Sequence, residues 1–183
     1  MRIIGGKLKG IRLMAPKNLP VRPTTDLSKE SLFNILNNRL DLEETSALDL
    51  FAGTGNISYE LASRGCPKVV SIDKFYGCVE YIKKTAEQFK LEAIKAFKSD
   101  VFKYLDFETE QYDLIFADPP YDMANPGSIA TKVFERNLLK PDGMLVIEHA
   151  SQIKLQNIPN HIESRKYGQS TFSFFELPSS DKL

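Results

Sequence analysis

Tyr112-Asp113-Leu114-Ile115-Phe116-Ala117-Asp118-Pro119-Pro120-Tyr121 joins a nearly continuous apolar run to two prolines. An apolar run of this length reads as a strand buried on both faces, the kind that parallel sheets contain. Neither proline has an N–H and each fixes φ, so the strand stops hard at its carboxyl end. There the chain presents a carboxylate, a proline carbonyl and an aromatic ring. Two acceptors and a flat ring suit a planar base with an exocyclic amine. The acceptors take the two N–H groups and the ring stacks on the base.

Outward from this stretch the chain alternates strands with helices. Arg2 to Ile4 and Ile11 to Met14 flank Gly5-Gly6 and Gly10, which predicts a small hairpin or arm. Pro16, Pro20 and Pro23 keep the following segment irregular. Asp26 is a suitable N-cap for a helix reaching about Leu40, with Leu32, Phe33, Ile35, Leu36 and Leu40 on its apolar stripe. Strands are predicted over Ala47–Phe51, Val69–Ile72, Ala93–Lys98 and Met144–Glu148. Helices are predicted over Asn56–Arg64, Phe75–Phe89, Val101–Leu105 and Ile129–Leu138. Pro141-Asp142-Gly143 reads as a turn, and His161–Tyr167 with Thr171–Leu177 as a closing antiparallel pair around Gly168. Such alternation predicts an α/β fold with a doubly wound, mostly parallel sheet.

In such sheets ligands sit beyond the carboxyl ends of the strands. Four of these ends carry an acid or a glycine turn: Asp49 to Gly55, Asp73, Asp100 and Asp118. In Asp49-Leu50-Phe51-Ala52-Gly53-Thr54-Gly55, glycines permit positive φ and close approach of a ligand to the backbone. A dinucleotide pattern would need a third glycine where Ser58 stands, and no Gly-Lys-Ser/Thr follows to make a phosphate loop. Asp49 disfavours a phosphate neighbour and suits an ammonium group, which S-adenosylmethionine (SAM) has. Asp73 follows Asp49 by 24 positions, near the roughly 20-residue spacing at which a second acid meets ribose hydroxyls. Asp100 can accept from an adenine amine. Each acid alone can also serve as a helix N-cap; their placement at successive strand ends favours the ligand reading.

The bulk numbers narrow the class. A chain of 183 residues, 42% hydrophobic and 26% charged, fits one folded domain rather than a disordered or membrane protein. Its start, Met1-Arg2-Ile3-Ile4-Gly5-Gly6-Lys7, lacks the apolar core of a signal peptide. Cys66 and Cys78 are the only cysteines, so no disulfide framework or cysteine-rich zinc site is expected, and a cytoplasmic location follows. His149 and His161 are isolated and suggest ordinary structural roles. Residues 1–25 hold Arg2, Lys7, Lys9, Arg12, Lys17 and Arg22 and no acid, although the whole chain has net charge zero. A basic arm on an acidic body fits nucleic acid as well as it fits a solvated surface hairpin.

Asp49 to Gly55, Asp73, Asp100 and Asp118 to Tyr121 together resemble the successive motifs of class I SAM-dependent methyltransferases. The last resembles the motif of the amino-methylating branch. Arg2-Ile3-Ile4-Gly5-Gly6-Lys7-Leu8-Lys9-Gly10, Arg22-Pro23-Thr24-Thr25-Asp26 and Glu30-Ser31-Leu32-Phe33-Asn34 resemble the RsmD family more closely still. Arg165-Lys166-Tyr167-Gly168 and Ser173-Phe174-Phe175 are also similar to that family. It comprises bacterial methyltransferases of a guanine N2 in small-subunit (16S) ribosomal RNA. The resemblance covers nearly the whole chain. It departs at Leu27-Ser28, where the family usually carries an arginine and an aliphatic residue.

The resemblance implies a Rossmann-like methyltransferase domain over 26–178, preceded by a basic arm over 1–25 and followed by a tail over 179–183. It implies SAM as cofactor, S-adenosylhomocysteine as product, and no metal. Cofactor contacts are implied for Asp49, Phe51, Gly53, Gly55, Asp73, Asp100 and Val101. Asp118, Pro119 and Tyr121 are implied as the catalytic set, and Arg2, Lys7, Lys9, Arg12 and Arg22 as RNA contacts. The expected partner is small-subunit rRNA or a ribosomal particle, met by a monomer with no membrane role. An amino-methyltransferase of adenine N6 in DNA or another RNA, and a nucleic-acid-binding scaffold without catalysis, remain as alternatives.

Overall fold

The computed structural model describes residues 1–19 and 26–178. Its centre is a seven-stranded sheet: β1 (Ser46–Leu50), β2 (Lys68–Asp73), β3 (Ile94–Lys98), β4 (Tyr112–Ala117), β5 (Leu139–Ala150), β6 (His161–Tyr167) and β7 (Ser170–Glu176). The spatial order is β3-β2-β1-β4-β5-β7-β6. The first five strands run parallel, and β7 pairs antiparallel with both β5 and β6. The predicted doubly wound sheet with a terminal antiparallel pair is therefore present. Strand order reverses between β1 and β4, the kind of place where such folds open a crevice.

Helices cover both faces. One apolar layer unites α1 (Asp26–Arg39), α2 (Asn56–Ser63) and α3 (Tyr76–Gln88) through Leu32, Phe33, Tyr59, Ile82, Phe116 and Phe174. The other packs α4 (Val101–Phe107) and α5 (Gly127–Glu135) through Leu48, Leu105, Ile115, Ile129 and Phe175. Neighbours such as Phe174 and Phe175 fall in opposite layers because successive strand side chains alternate between faces. This two-sided burial is why Tyr112 to Ala117 is almost uniformly apolar. Cys66 and Cys78 are both buried, and burial pushes the Cys66 thiol up to about 12.

Two elements depart most from expectation, and α4 also runs two residues past its expected end at Leu105. β5 begins at Leu139 and takes in Pro141-Asp142-Gly143, where its register against β4 jumps from Tyr112↔Leu139 to Leu114↔Met144. Asp142 adopts a positive φ of 62° there, so the turn becomes a bulge within the strand. The fifth helix runs Gly127–Glu135, earlier than expected, because Pro126 serves as its N-cap residue and proline is well tolerated at a helix start.

The amino-terminal segment is docked rather than free. Arg2 and Arg12 form an antiparallel bridge, and Ile3 N–H donates to the Ile11 carbonyl at 2.9 Å. Gly6 has φ 71°, and a Cβ there would lie 1.8 Å from the Ser63 carbonyl oxygen, so only glycine lets the arm lie on α2. Beneath the arm, Lys29 and Glu60 form a fully buried ion pair at 3.1 Å. Lys29 Nζ also donates to the Arg2 carbonyl at 2.5 Å and to Asn56 Oδ1 at 2.9 Å; Glu60 accepts from Ile4 N–H at 3.0 Å and Arg64 Nε at 2.9 Å. Burial pushes the Lys29 ammonium below its ordinary value, and Glu60 opposes that shift. Lys29 stands on the same helical stripe as Leu32, Phe33 and Leu36, so a charge on an apolar face was the sequence signal for this pair.

Candidate active site

The carboxyl ends of β1, β2, β3 and β4 are stitched together by the backbone. Ala52 N–H donates to the Ile72 carbonyl at 3.0 Å, Ser99 N–H to Asp73 at 3.0 Å, and Asp118 N–H to Leu50 at 3.3 Å. Beyond these ends lies a cavity of 990 Å³. Its wall includes Asp49, Phe51, Gly53, Asp73, Asp100 and Val101 on one side and Asp118, Pro119 and Tyr121 on the other. The expected cofactor and catalytic groups thus share one enclosure, with Gly55 as the exception.

Phe51, Gly53 and Gly55 all have positive φ, at 59°, 55° and 85°, so the turn folds back on itself before α2. Gly55 lies behind the wall. A Cβ there would come 2.8 Å from the Tyr59 ring and 2.9 Å from Ile82 Cγ1, so Gly55 serves the turn and the seating of α2. Ser58, where a dinucleotide fold would carry glycine, is buried. Its hydroxyl donates to Asp49 Oδ2 at 2.5 Å and meets the Ser71 hydroxyl at 2.7 Å, tying α2 to β1 and β2.

The acids differ in how they are held. Asp49 is almost fully buried, and burial pushes its carboxyl up to about 7 despite the Ser58 hydrogen bond. Asp73 accepts from Gly53 N–H through Oδ2 and from Phe75 N–H through Oδ1, both at 2.8 Å. Its value is also raised, by burial above all. Asp100 is exposed and caps α4, accepting from Lys103 N–H at 3.1 Å through Oδ1. The helix-cap and wall positions of Asp100 coexist, because one carboxylate has two oxygens.

Opposite the glycine turn, Asp118 and Tyr121 are half-buried and Pro119 is buried. The Tyr121 hydroxyl is hydrogen-bonded to the Ser170 hydroxyl on β7. Of the expected RNA contacts, Lys7, Lys9 and Arg12 are exposed on the arm, and Arg2 pairs with Asp26 at 3.1 Å. Arg22 and its motif through Thr25 lie outside the described residues. The arm reaches the cavity through Met1 and Ala15.

The wall also holds groups that were not expected: Glu148, Asn56 and the turn Lys166 to Ser170. Glu148 follows the rule that identifies Asp49 and Asp73, an acid near the carboxyl end of a parallel strand. The turn had no comparable signal, because its approach to the cavity depends on β7 lying beside β5. The histidines are structural: His149 Nε2 meets Ser173 Oγ at 2.8 Å and His161 Nε2 meets Ser164 Oγ at 2.8 Å, while burial lowers both rings' pKa values. Among the described residues no three His, Cys, Asp or Glu side chains are grouped to hold a metal, and no helix is long and apolar enough to cross a membrane.

Residues 1–176 match the family described as conserved hypothetical protein 95. The Bacillus subtilis (strain 168) protein YlbH is 30% identical, over 96% of this chain and 98% of its own. The ribosomal RNA small subunit methyltransferase D of Haemophilus influenzae (strain ATCC 51907 / DSM 11121 / KW20 / Rd) is 29% identical, over 81% of this chain and 78% of its own. A hypothetical protein of Thermus thermophilus superposes with a TM-score of 0.85 at 27% identity, over 97% of this chain and 99% of its own. The chain therefore belongs to the conserved hypothetical protein 95 family, the RsmD family that its motifs resemble.

Proposed function

We propose that this chain transfers the methyl group of SAM to the exocyclic N2 amine of a guanine in small-subunit (16S) ribosomal RNA. One observation carries the reading: a single cavity is walled by the glycine turn and its acids on one side and by Asp118 to Tyr121 on the other. The name of the Haemophilus influenzae relative supports the RNA substrate.

The residues present fit SAM. Asp73 is pre-oriented by two backbone N–H groups, as an acceptor for ribose hydroxyls needs. Asp100 keeps an oxygen for an adenine amine, and Phe51 and Val101 offer apolar surface to its ring. Asp49 lines the cavity and can pair with an ammonium group, whose charge would draw the raised carboxyl back towards its ionised form. When bound, SAM supplies an electrophilic methyl on a sulfonium.

The chain's own residues then handle the nucleophile. A guanine amine is weakly nucleophilic because its lone pair is delocalised into the ring. Asp118 and the Pro119 carbonyl each accept one N–H, which draws the nitrogen towards a pyramidal shape and aims its lone pair. Asp118 stabilises the positive charge that develops on that nitrogen as it gains the methyl, and takes up the proton that the nitrogen then sheds. Tyr121 stacks on the base, worth ~1–3 kcal/mol by analogy with single-strand binders. Holding both reactants in line converts an encounter into a unimolecular step. A paired guanine must be flipped out; a loop guanine costs less. The exposed cations of residues 1–25 contact RNA phosphates, residues 26–178 perform the transfer, and a monomer acts in the cytoplasm with no resident metal.

The test is methyl transfer from labelled SAM to small-subunit particles, naked rRNA and duplex DNA, followed by mass mapping of nucleosides. N2-methylguanosine in small-subunit RNA is the expected product. Label found only in adenine would replace this reading with the adenine N6 one. RNA binding with no affinity for SAM would leave a scaffold.

A further inference from the structure

Between β4 and α5 the chain leaves the sheet for the loop that carries Asp118 to Tyr121. Its first residue is tied to β1 through Asp118 N–H and the Leu50 carbonyl, and Met123 N–H closes a turn on the Pro120 carbonyl at 2.9 Å. Farther out, the Tyr121 hydroxyl meets Ser170 Oγ, 49 residues along the chain. Ser170 is a firm anchor. It opens β7, in register with Ala150 of β5 and Tyr167 of β6, so both flanks of its backbone are paired. The adjoining turn is held as well: Ser151 N–H donates to the Gln169 carbonyl at 2.9 Å, and the Ser151 and Thr171 hydroxyls meet at 2.9 Å. Tyr167 packs on Phe172 with ring centroids 5.7 Å apart.

We propose that Ser170 is a positioning residue for methyl transfer, its hydroxyl fixing the Tyr121 ring as the platform on which the target base lies. This rests on the amino-methylating reading of the cavity. A tyrosine on a loop turns about two side-chain bonds, and stacking helps only in one orientation. A hydrogen bond at the phenol oxygen lies near the ring plane, so it restrains that motion without itself covering a ring face. The ordering is then complete before the base arrives, which is how preorganisation raises productive binding. A sheet strand is a better reference point for this than the loop itself.

The experiment compares wild type, Ser170→Ala, Ser170→Thr, Tyr121→Phe and the Ser170→Ala/Tyr121→Phe double variant. Each is assayed for kcat/KM on whichever nucleic acid the wild type methylates, and for SAM affinity by calorimetry. The two single hydroxyl deletions are expected to lower kcat/KM about 3- to 10-fold, the worth of one hydrogen bond. The double variant should be no worse than the poorer single one, Ser170→Thr should recover most of the rate, and SAM affinity should stay constant throughout. Multiplying losses in the double variant, an unimpaired Ser170→Ala, or SAM affinity falling in step with rate would each overturn the role of Ser170. Activity on DNA alone would defeat the rRNA reading and still leave the coupling to decide Ser170. A wild type inert on every nucleic acid would defeat both.

Discussion

The two walls of the cavity are built on different principles. The acids of the glycine-turn wall are fixed by main-chain donors: Asp73 by Gly53 and Phe75 N–H groups, and Asp100 by Lys103 N–H. The Asp118 to Tyr121 wall has one backbone tie, to Leu50 on β1, and its ring is held side chain to side chain, by the Ser170 hydroxyl on β7. The first wall is a rigid receptacle; the second is a clamp whose aim depends on its neighbours. The two should therefore fail differently, one in binding and the other in turnover.

The sharpest break lies in the clamp. Asp118→Ala is expected to lower turnover about 10²–10³-fold while SAM affinity is retained, because in the proposed reaction that carboxylate acts on the developing charge. Single-turnover rates beside calorimetric titration separate the two. Equal losses in both would mean the walls are not independent.

The turn breaks the other way. Gly55→Val places a β-branched residue at φ 85° against Tyr59 and Ile82. It is expected to cost about 2–4 kcal/mol of stability, from strained backbone and overpacking. SAM affinity should fall with it, since α2 would be pushed off the turn. Urea unfolding with calorimetry checks both, and a variant of normal stability would show that the turn tolerates a displaced helix.

A smaller, pH-dependent effect belongs to Asp49. Its folded value of about 7 lies above the ordinary carboxylate value because of burial. An acid raised on folding holds its proton more tightly in the folded state. Its contribution favours folding below the unfolded value near pH 4 and is lost as pH rises towards 7. Asp49→Asn keeps an acceptor for Ser58 and removes that loss. The variant's urea midpoint relative to wild type should climb between about pH 4 and 7 and level off above. A difference that stays flat across that range would mean Asp49 is ionised throughout it.

The smallest effect concerns the approach of RNA to both walls. Lys9→Ala should weaken RNA binding a few-fold and reduce the slope of log affinity against log salt by about one, with SAM affinity unchanged. An unaltered slope in filter binding would make that lysine a solvated surface charge.

Much of the glycine wall was legible in the chain. Asp49, Gly53, Asp73 and Asp100 follow from strand periodicity, glycine breaks and the rule that acids at strand carboxyl ends face the crevice. Gly55 was legible as a turn residue but not as the seat of Tyr59 and Ile82, because a side chain's neighbour across the fold leaves no mark on local pattern. Glu148 obeyed the same strand-end rule as the other acids. Ser170 was beyond reach: a serine opening a strand looks like any other until β7 is laid beside β5.

What this sequence determines by itself is the succession of elements, the places where strands stop, and the chemical groups standing there. Each of these depends on apolar period, on proline and glycine, and on residues adjacent in the chain. Only the tertiary structure decides that Lys29 closes on Glu60 beneath the arm, that Ser58 takes the Asp49 carboxylate, and that Ser170 holds Tyr121. Those pairings depend on which backbones the packed sheet brings within hydrogen-bond reach, and burial makes the first two costly to leave unmet.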